Sequence, residues 1–188
     1  MTHRDRFDGE FDVVLAGARA GSPAAFERIF TALAPAVQGY LRLQGAFEPE
    51  DLTSDVFVAV LRNLQTFEGD EAGFRSWVFT IAYRRMIDER RRAQRRPAAA
   101  PLEDVPHMPA ADDVEHDVQQ SLGTAQVRAL CDRLSPDQRD VLLLRLLGRM
   151  TVTEVAEALG KSPGAVKALQ RRGLLAISQM IEREGVPL

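Results

Sequence analysis

VTEVAEALGKSPGAVKALQRRG, from Val152 to Gly173, decides the fold. Val155, Ala156 and Leu159 recur at the spacing of one short helix, and Val166 and Leu169 at that of a second. Gly160 stands between them and permits the left-handed backbone of a tight turn. Ala156 must be small because the second helix crosses close to it. Val166 packs that second helix onto the first, against Val155, Leu159 and Leu169. Ser162 caps the second helix, with Pro163 at its first position. This is the pattern of a helix-turn-helix. The second helix turns Gly164, Ala165, Lys167, Ala168 and Arg171 outward, with Arg172 beside them. Small residues at its N-terminal end allow close approach to a groove, and the basic residues reach phosphates or guanine edges. Lys161 and Lys167 are the chain's only lysines. A plain helical hairpin with a solvated basic face is the alternative.

The rest of the chain also reads as helix. Ser135-Pro136 with Gln138 is a capping box, as is Thr151 with Glu154, and VLLLRLLG between them is strongly apolar. Towards the N-terminus, Ser22-Pro23 opens a helix carrying Phe26, Ile29, Phe30 and Leu33. Pro35 is expected to break or kink it, with Val37, Tyr40 and Leu41 continuing beyond. A further helix is predicted from Pro49 to Leu64, carrying Leu52, Val56 and Val60, then a polar loop, TFEGDEAG. Phe74, Trp77, Val78, Ile81 and Met86 mark a last helix of this half. Their register makes Trp77 a packing residue. No strand pattern is present, so the fold class is all-α.

Charge divides the chain more sharply than its net −3 suggests. Residues 1–97 are balanced, 98–122 carry six acidic and no basic side chains, and 123–188 are net +3. RRPAAAPLEDVPHMPAADDVEHD is rich in proline and alanine and lacks apolar periodicity, which reads as a flexible linker. The expected organisation is an N-terminal, partly helical segment (1–21), a helical domain (22–97), an acidic linker (98–121) and a helix-turn-helix domain (122–183). Against the acidic middle stands RRMIDERRRAQRRP, residues 84–97, with seven arginines and only Asp88 and Glu89 opposing them. A solvated helix end needs fewer cations than this.

Several function classes are excluded. A single cysteine, Cys131, offers no disulfide framework and reads as a small buried hydrophobe in a reducing compartment. No signal segment and no apolar run of about 20 residues appears, so a cytoplasmic protein is expected. No His/Cys metal spacing, nucleophile motif or phosphate-binding glycine loop is present, and His3, His107 and His116 fall in segments read as flexible. Neither catalysis nor a cofactor or metal is expected.

Four segments, in order, resemble the sigma-70 family, and specifically its two-domain extracytoplasmic-function (ECF) members. FERIFTALAPAVQGYL resembles the start of region 2, and PEDLTSDVFVAVLRNLQTFEG its core-binding segment. FRSWVFTIAYRRMIDERRRAQRR resembles the segment that opens and reads the −10 element. LSPDQRDVLLLRLLGRMTVTEVAEALGKSPGAVKALQRR resembles region 4, which reads the −35 element. The resemblance implies an RNA polymerase specificity subunit whose partners are the core enzyme (β′ coiled coil and β subunit), duplex and melted promoter DNA, and an anti-sigma factor. It places core binding at Asp51, Leu52, Asp55, Val56 and Phe57. It places −10 contacts at Phe67, Arg84, Arg85, Arg91, Arg92 and Arg95, and −35 contacts at Ser162, Gly164, Ala165, Lys167, Ala168, Arg171 and Arg172. Clustered guanidinium groups would neutralise phosphates, and aromatic side chains would stack on extruded bases. Two departures stand out. Arg84 occupies a position where relatives often carry asparagine, and Leu169-Gln170 stands where many have Arg-Leu. The family's −10 and −35 preferences therefore do not transfer. A helix-turn-helix regulator acting without polymerase would explain 151–173, but not the arginine cluster or DLTSDVF.

Overall fold

The computed structural model describes residues 7, 9–95 and 125–184, and every regular element among them is helical. The linker expected at 98–121, the three histidines and the side chain of Arg95 lie outside the described residues.

The first bundle contains α1 (Phe11–Arg19), α2 (Pro23–Leu43), α3 (Pro49–Asn63), a 3-10 turn at Leu64–Thr66, and α4 (Glu71–Arg95). Local rules start each helix. The Ser22 hydroxyl accepts the Ala25 N–H at the head of α2, with Pro23 next. Asp70 does the same for α4, accepting the Gly73 N–H at 2.8 Å. Pro35 does not break α2, which runs unbroken from Pro23 to Leu43. Proline deprives the carbonyl four residues earlier of its partner. Here that is Thr31, and both residues are on the exposed face, where water can satisfy the carbonyl. Packing then follows the apolar spacing. Ile29, Leu33, Val37 and Leu41 of α2 meet Val56, Phe57 and Val60 of α3 and Phe74, Val78 and Ala82 of α4 in one core. Helix α1 adds Phe11, Val14, Leu15 and Ala18 to it.

The second bundle contains a helix at 125–132 (α5), α6 (Pro136–Leu146), α7 (Val152–Leu159) and α8 (Pro163–Glu184). Both capping boxes form, Ser135 with Gln138 and Thr151 with Glu154. Gly160 takes φ +63°, the left-handed turn that the sequence requires. Ala156 and Val166 are buried where α7 and α8 cross. Gly173 marks a second close approach. A Cβ there would lie 2.8 Å from Leu142 Cδ1 of α6.

The two bundles pack against each other, α2 on α6 and α4 on α7. This explains why five consecutive residues of α6, Asp140 to Leu144, are all buried, since a segment covered on more than one side has no solvent stripe. At its centre is a polar contact. The Gln44 amide nitrogen donates to Asp140 Oδ1 at 2.9 Å and to the Tyr40 hydroxyl at 3.3 Å. Arg90 donates to Gln44 Oε1 at 2.6 Å and to its backbone carbonyl at 3.0 Å, and its guanidinium lies 3.6 Å from Asp140. Every polar atom of the Gln44 amide is satisfied, as burial demands.

Candidate polymerase and nucleic-acid interface

The helix-turn-helix surface is laid out as the sequence predicts. Ser162, Gly164, Ala165, Lys167, Ala168, Arg171 and Arg172 are all exposed, while Val166 between them is fully buried. The Ser162 hydroxyl accepts the Ala165 N–H at 3.2 Å, which caps α8 and leaves the small residues of its first turn open to a groove. Lys167 and Arg171 are four apart and share one face with Gln170, Leu174, Leu175 and Ser178, a shallow apolar groove with a basic rim. Lys161, the other lysine, is instead tied to Asp137 across the bundle at 2.8 Å.

The arginine cluster of α4 is split by helical geometry. Arg84 and Arg91 are seven apart, two turns, and so share a side. Arg84 lines a cleft with Phe67, Trp77 and Thr80, closed on its far wall by Met150, Glu154 and Glu157 of the second bundle. Arg85 and Arg92 point the other way and line a groove with Asp51, Leu52 and Asp55 of α3. Arg90, which the sequence reading left without a role, faces the second bundle.

The five core-binding candidates also separate. Asp51 and Asp55 are exposed, four apart on one face of α3, and Leu52 is half-buried between them. Val56 and Phe57 are inside the bundle, Phe57 ring to ring with Phe30 at 4.8 Å. In this arrangement they pack α3 on the core and set the position of the acids.

Phe67 occupies a position different from an open reading loop. Its ring is only 6% exposed and lies edge-on to Phe74 at 5.0 Å and tilted against Trp77 at 5.3 Å. Trp77, by contrast, is half-buried at the cleft mouth, though packed on the core as expected. The loop is clamped from behind. Arg19 donates to the Leu64 carbonyl at 3.2 Å and to the Phe67 carbonyl, while Gln65 donates to the Arg19 carbonyl at 2.7 Å. Gly69, at φ +142°, leaves room for the Phe67 ring, since a Cβ there would sit 3.2 Å from Phe67 Cζ. Arg19 and Gln65 carry no motif, and nothing local in the sequence announces this clamp.

Two family models match these two bundles. Residues 29–96 match sigma-70 region 2, and residues 124–177 match sigma-70 region 4. The chain is 31% identical over 166 residues to the ECF RNA polymerase sigma factor BldN of Streptomyces coelicolor, covering 87% of this chain and 63% of BldN. It is 34% identical over 139 residues to the ECF sigma factor ShbA of Streptomyces griseus, covering 71% of this chain and 72% of ShbA. Among solved structures, CnrH in complex with the cytosolic domain of CnrY superposes with a TM-score of 0.66 at 24% identity, covering 92% of this chain and 97% of that one, and so shares the fold. Helical bundles with an exposed recognition helix define a DNA-binding architecture. The chain belongs to the sigma-70 family, among its ECF RNA polymerase sigma factors. No helix among the described residues is long and apolar enough to cross a membrane.

Proposed function

We propose that this protein is a cytoplasmic specificity subunit of bacterial RNA polymerase. It binds the core enzyme through the acidic face of α3, reads melted −10 DNA with the Phe67 loop and the cleft side of α4, and reads duplex −35 DNA with α8. The observation that carries the reading is the recognition helix. All seven of its candidate contact residues are exposed together at one helix end, over a buried Val166 that fixes the helix on its support. The split arginine cluster adds support, because it supplies cations to the strand side and to the α3 side from one rigid helix. The chain contributes no chemistry of its own in this reading. Asp51 and Asp55 meet basic residues of the β′ coiled coil, and the region 4 bundle engages the β subunit. An anti-sigma factor is the expected regulator, since closed packing of the two bundles gives such a partner a single arrangement to hold.

Run-off transcription with purified core enzyme on a promoter library randomised around −10 and −35 tests the proposal. Enrichment of sequences at both positions is expected. Core-independent, sequence-specific duplex binding, with no initiation, would favour an operator-binding regulator instead.

A further inference from the structure

Arg149 is the one residue other than glycine, among the described residues, whose backbone is left-handed, at φ +55°. An arginine rarely stays there, because its Cβ crowds the following carbonyl. The turn between α6 and α7 imposes the conformation. Met150 is fully buried, its N–H donates to the Leu144 carbonyl at 3.3 Å, and its own carbonyl accepts from Arg145. Gly148 is held on the other side, where Arg75 of α4 donates to its carbonyl at 3.1 Å and to that of Leu147. A Cβ on Gly148 would lie 2.5 Å from the Leu144 carbonyl oxygen and 3.2 Å from the Phe79 ring. With both neighbours fixed, residue 149 has no other backbone open to it, and a glycine would sit there relaxed.

Nothing inside the protein accounts for the arginine. Its side chain is exposed, and no hydrogen bond or ion pair joins it to another described residue. Arg75 and Arg145, by contrast, are both bonded to backbone carbonyls of the same turn. Its place and charge point outward. Arg149 stands two residues before Thr151, the N-cap of α7, which is the first helix of the helix-turn-helix. When a recognition helix enters a major groove, the helix before it crosses the sugar-phosphate backbone. Helix α7 is poorly equipped for that alone. From Met150 to Gly160 there are two acids, Glu154 and Glu157, and no basic side chain. The capping box between Thr151 and Glu154 already occupies the head of the helix. Lys161, just past its far end, is tied to Asp137 at 2.8 Å. Arg149 is the cation beside α7 that is left to meet a phosphate.

We infer that Arg149 is a phosphate-binding residue of the region 4 bundle, a duplex contact outside the recognition helix, and that its left-handed backbone is retained for the sake of that charge. This rests on the assignment of α8 to duplex −35 DNA. The contact carries no base information. It holds the head of α7 on the DNA backbone and so fixes the register in which α8 meets the groove. Each phosphate neutralised in this way releases counterions, so the contact is legible in the salt dependence of binding.

The experiment uses the full chain assembled with core. The probe is a fluorescein-labelled duplex carrying the −35 sequence that wild type enriches from the promoter library, and anisotropy is read over a series of salt concentrations. Arg149→Ala should weaken binding by about fivefold and flatten the slope of log affinity against log salt by about 1. Arg149→Lys keeps the charge and should restore most of both. Arg149→Gly should bind as poorly as Arg149→Ala, yet raise the thermal midpoint of the free chain by about 2 °C as the backbone relaxes. A residue with a structural role alone would lose stability and binding together, so opposite signs in one variant mark the contact. An unchanged salt slope with Arg149→Ala overturns the phosphate contact. A slope lost as fully with Arg149→Lys overturns its basis in charge. A midpoint that Arg149→Gly leaves unchanged or lowers overturns the retained strain. Weakened competition for core would make Arg149 a polymerase contact and likewise overturn the inference. Wild-type holoenzyme on the library is the control. No enrichment at −35 there would sink the assignment of function itself, whereas enrichment with an unchanged slope sinks the Arg149 contact alone.

Discussion

Gln44 and Asp140 stand 96 residues apart in sequence and share a 2.9 Å hydrogen bond in the contact between the two bundles. Burial raises the pKa of Asp140, and the hydrogen bond from Gln44 and the charge of Arg90 offset this only in part. The direction sets a pH dependence. A carboxyl whose pKa is raised by the closed arrangement favours that arrangement most when protonated. Its contribution is complete below the ordinary value of 3.8 and is lost as pH rises through the raised one. Tyr40, Tyr83, Arg90 and Asp137 are the other titratable groups near it. The tyrosines are pushed upward by burial. Scattering over a rising pH series should therefore show the wild-type chain becoming less compact as pH passes the raised value. Asp140→Asn, which keeps an acceptor for Gln44, should flatten the profile. An identical slope in both proteins would assign the effect elsewhere.

Asp51→Arg with Asp55→Arg should weaken core binding and leave the fold intact, because both acids are exposed and neither makes a packing contact. Reversal also sets four cations around the groove shared with Arg85 and Arg92. Exposed charge pairs contribute up to about 1 kcal/mol each, so a loss of about tenfold in affinity is expected, larger at low salt. Competition for core against a second sigma factor gives the affinity, and circular dichroism gives the fold. Unchanged competition with an unchanged spectrum would remove these acids from the interface.

Trp77 is the chain's one tryptophan, and its ring lies 5.3 Å from that of Phe67. If Phe67 stacks on an extruded base it must leave this contact. Tryptophan emission from the holoenzyme is dominated by core, so the free chain is the better vehicle. Single-stranded DNA should shift its emission, and Phe67→Leu should reduce the shift. Phe67→Ala removes a ring that is only 6% exposed and should destabilise the chain by about 3 kcal/mol. Undiminished emission changes with Phe67→Leu would leave Phe67 as a core residue alone.

What the sequence made legible was local. Ser22, Ser135, Thr151 and Gly160 each act within one turn of helix, and each stands where its residue type requires. The exposed face of α8 followed from the same short-range rules. Pro35 does not break α2, because the rule against interior proline assumes that the freed carbonyl is covered, and the Thr31 side of α2 faces solvent. Phe67 was read from its loop, but the loop folds its ring inward, under Gly69 and onto Phe74. The contacts of Gln44 and Arg75 with the second bundle join residues separated by 72 to 96 positions. No periodicity encodes such a pairing. The apolar run of α6, covered on more sides than one bundle requires, was its only trace.

The last prediction separates the two DNA surfaces. Lys167 and Arg171 lie on the exposed face of α8, whereas Arg84 and Arg91 share the cleft side of α4. Replacing Lys167 and Arg171 with alanine should cost about 1–3 kcal/mol for a lost base contact, or flatten the salt dependence for a lost phosphate contact. Holoenzyme is assayed on two templates, one with an intact −35 element and one with that element scrambled. The α8 variant should lose its advantage on the intact template and match wild type on the scrambled one. Replacing Arg84 and Arg91 with alanine should instead lower activity on both templates and keep their ratio, because phosphate neutralisation around a melted strand does not depend on a distant duplex contact. Salt then distinguishes the sides of α4. Arg84 and Arg91 should lower the salt slope of strand binding, while Arg85 and Arg92, turned towards Asp51 and Asp55, should alter core competition more than strand binding. Equal shifts of the template ratio by the α8 and α4 variants would mean that the two bundles do not read separate elements.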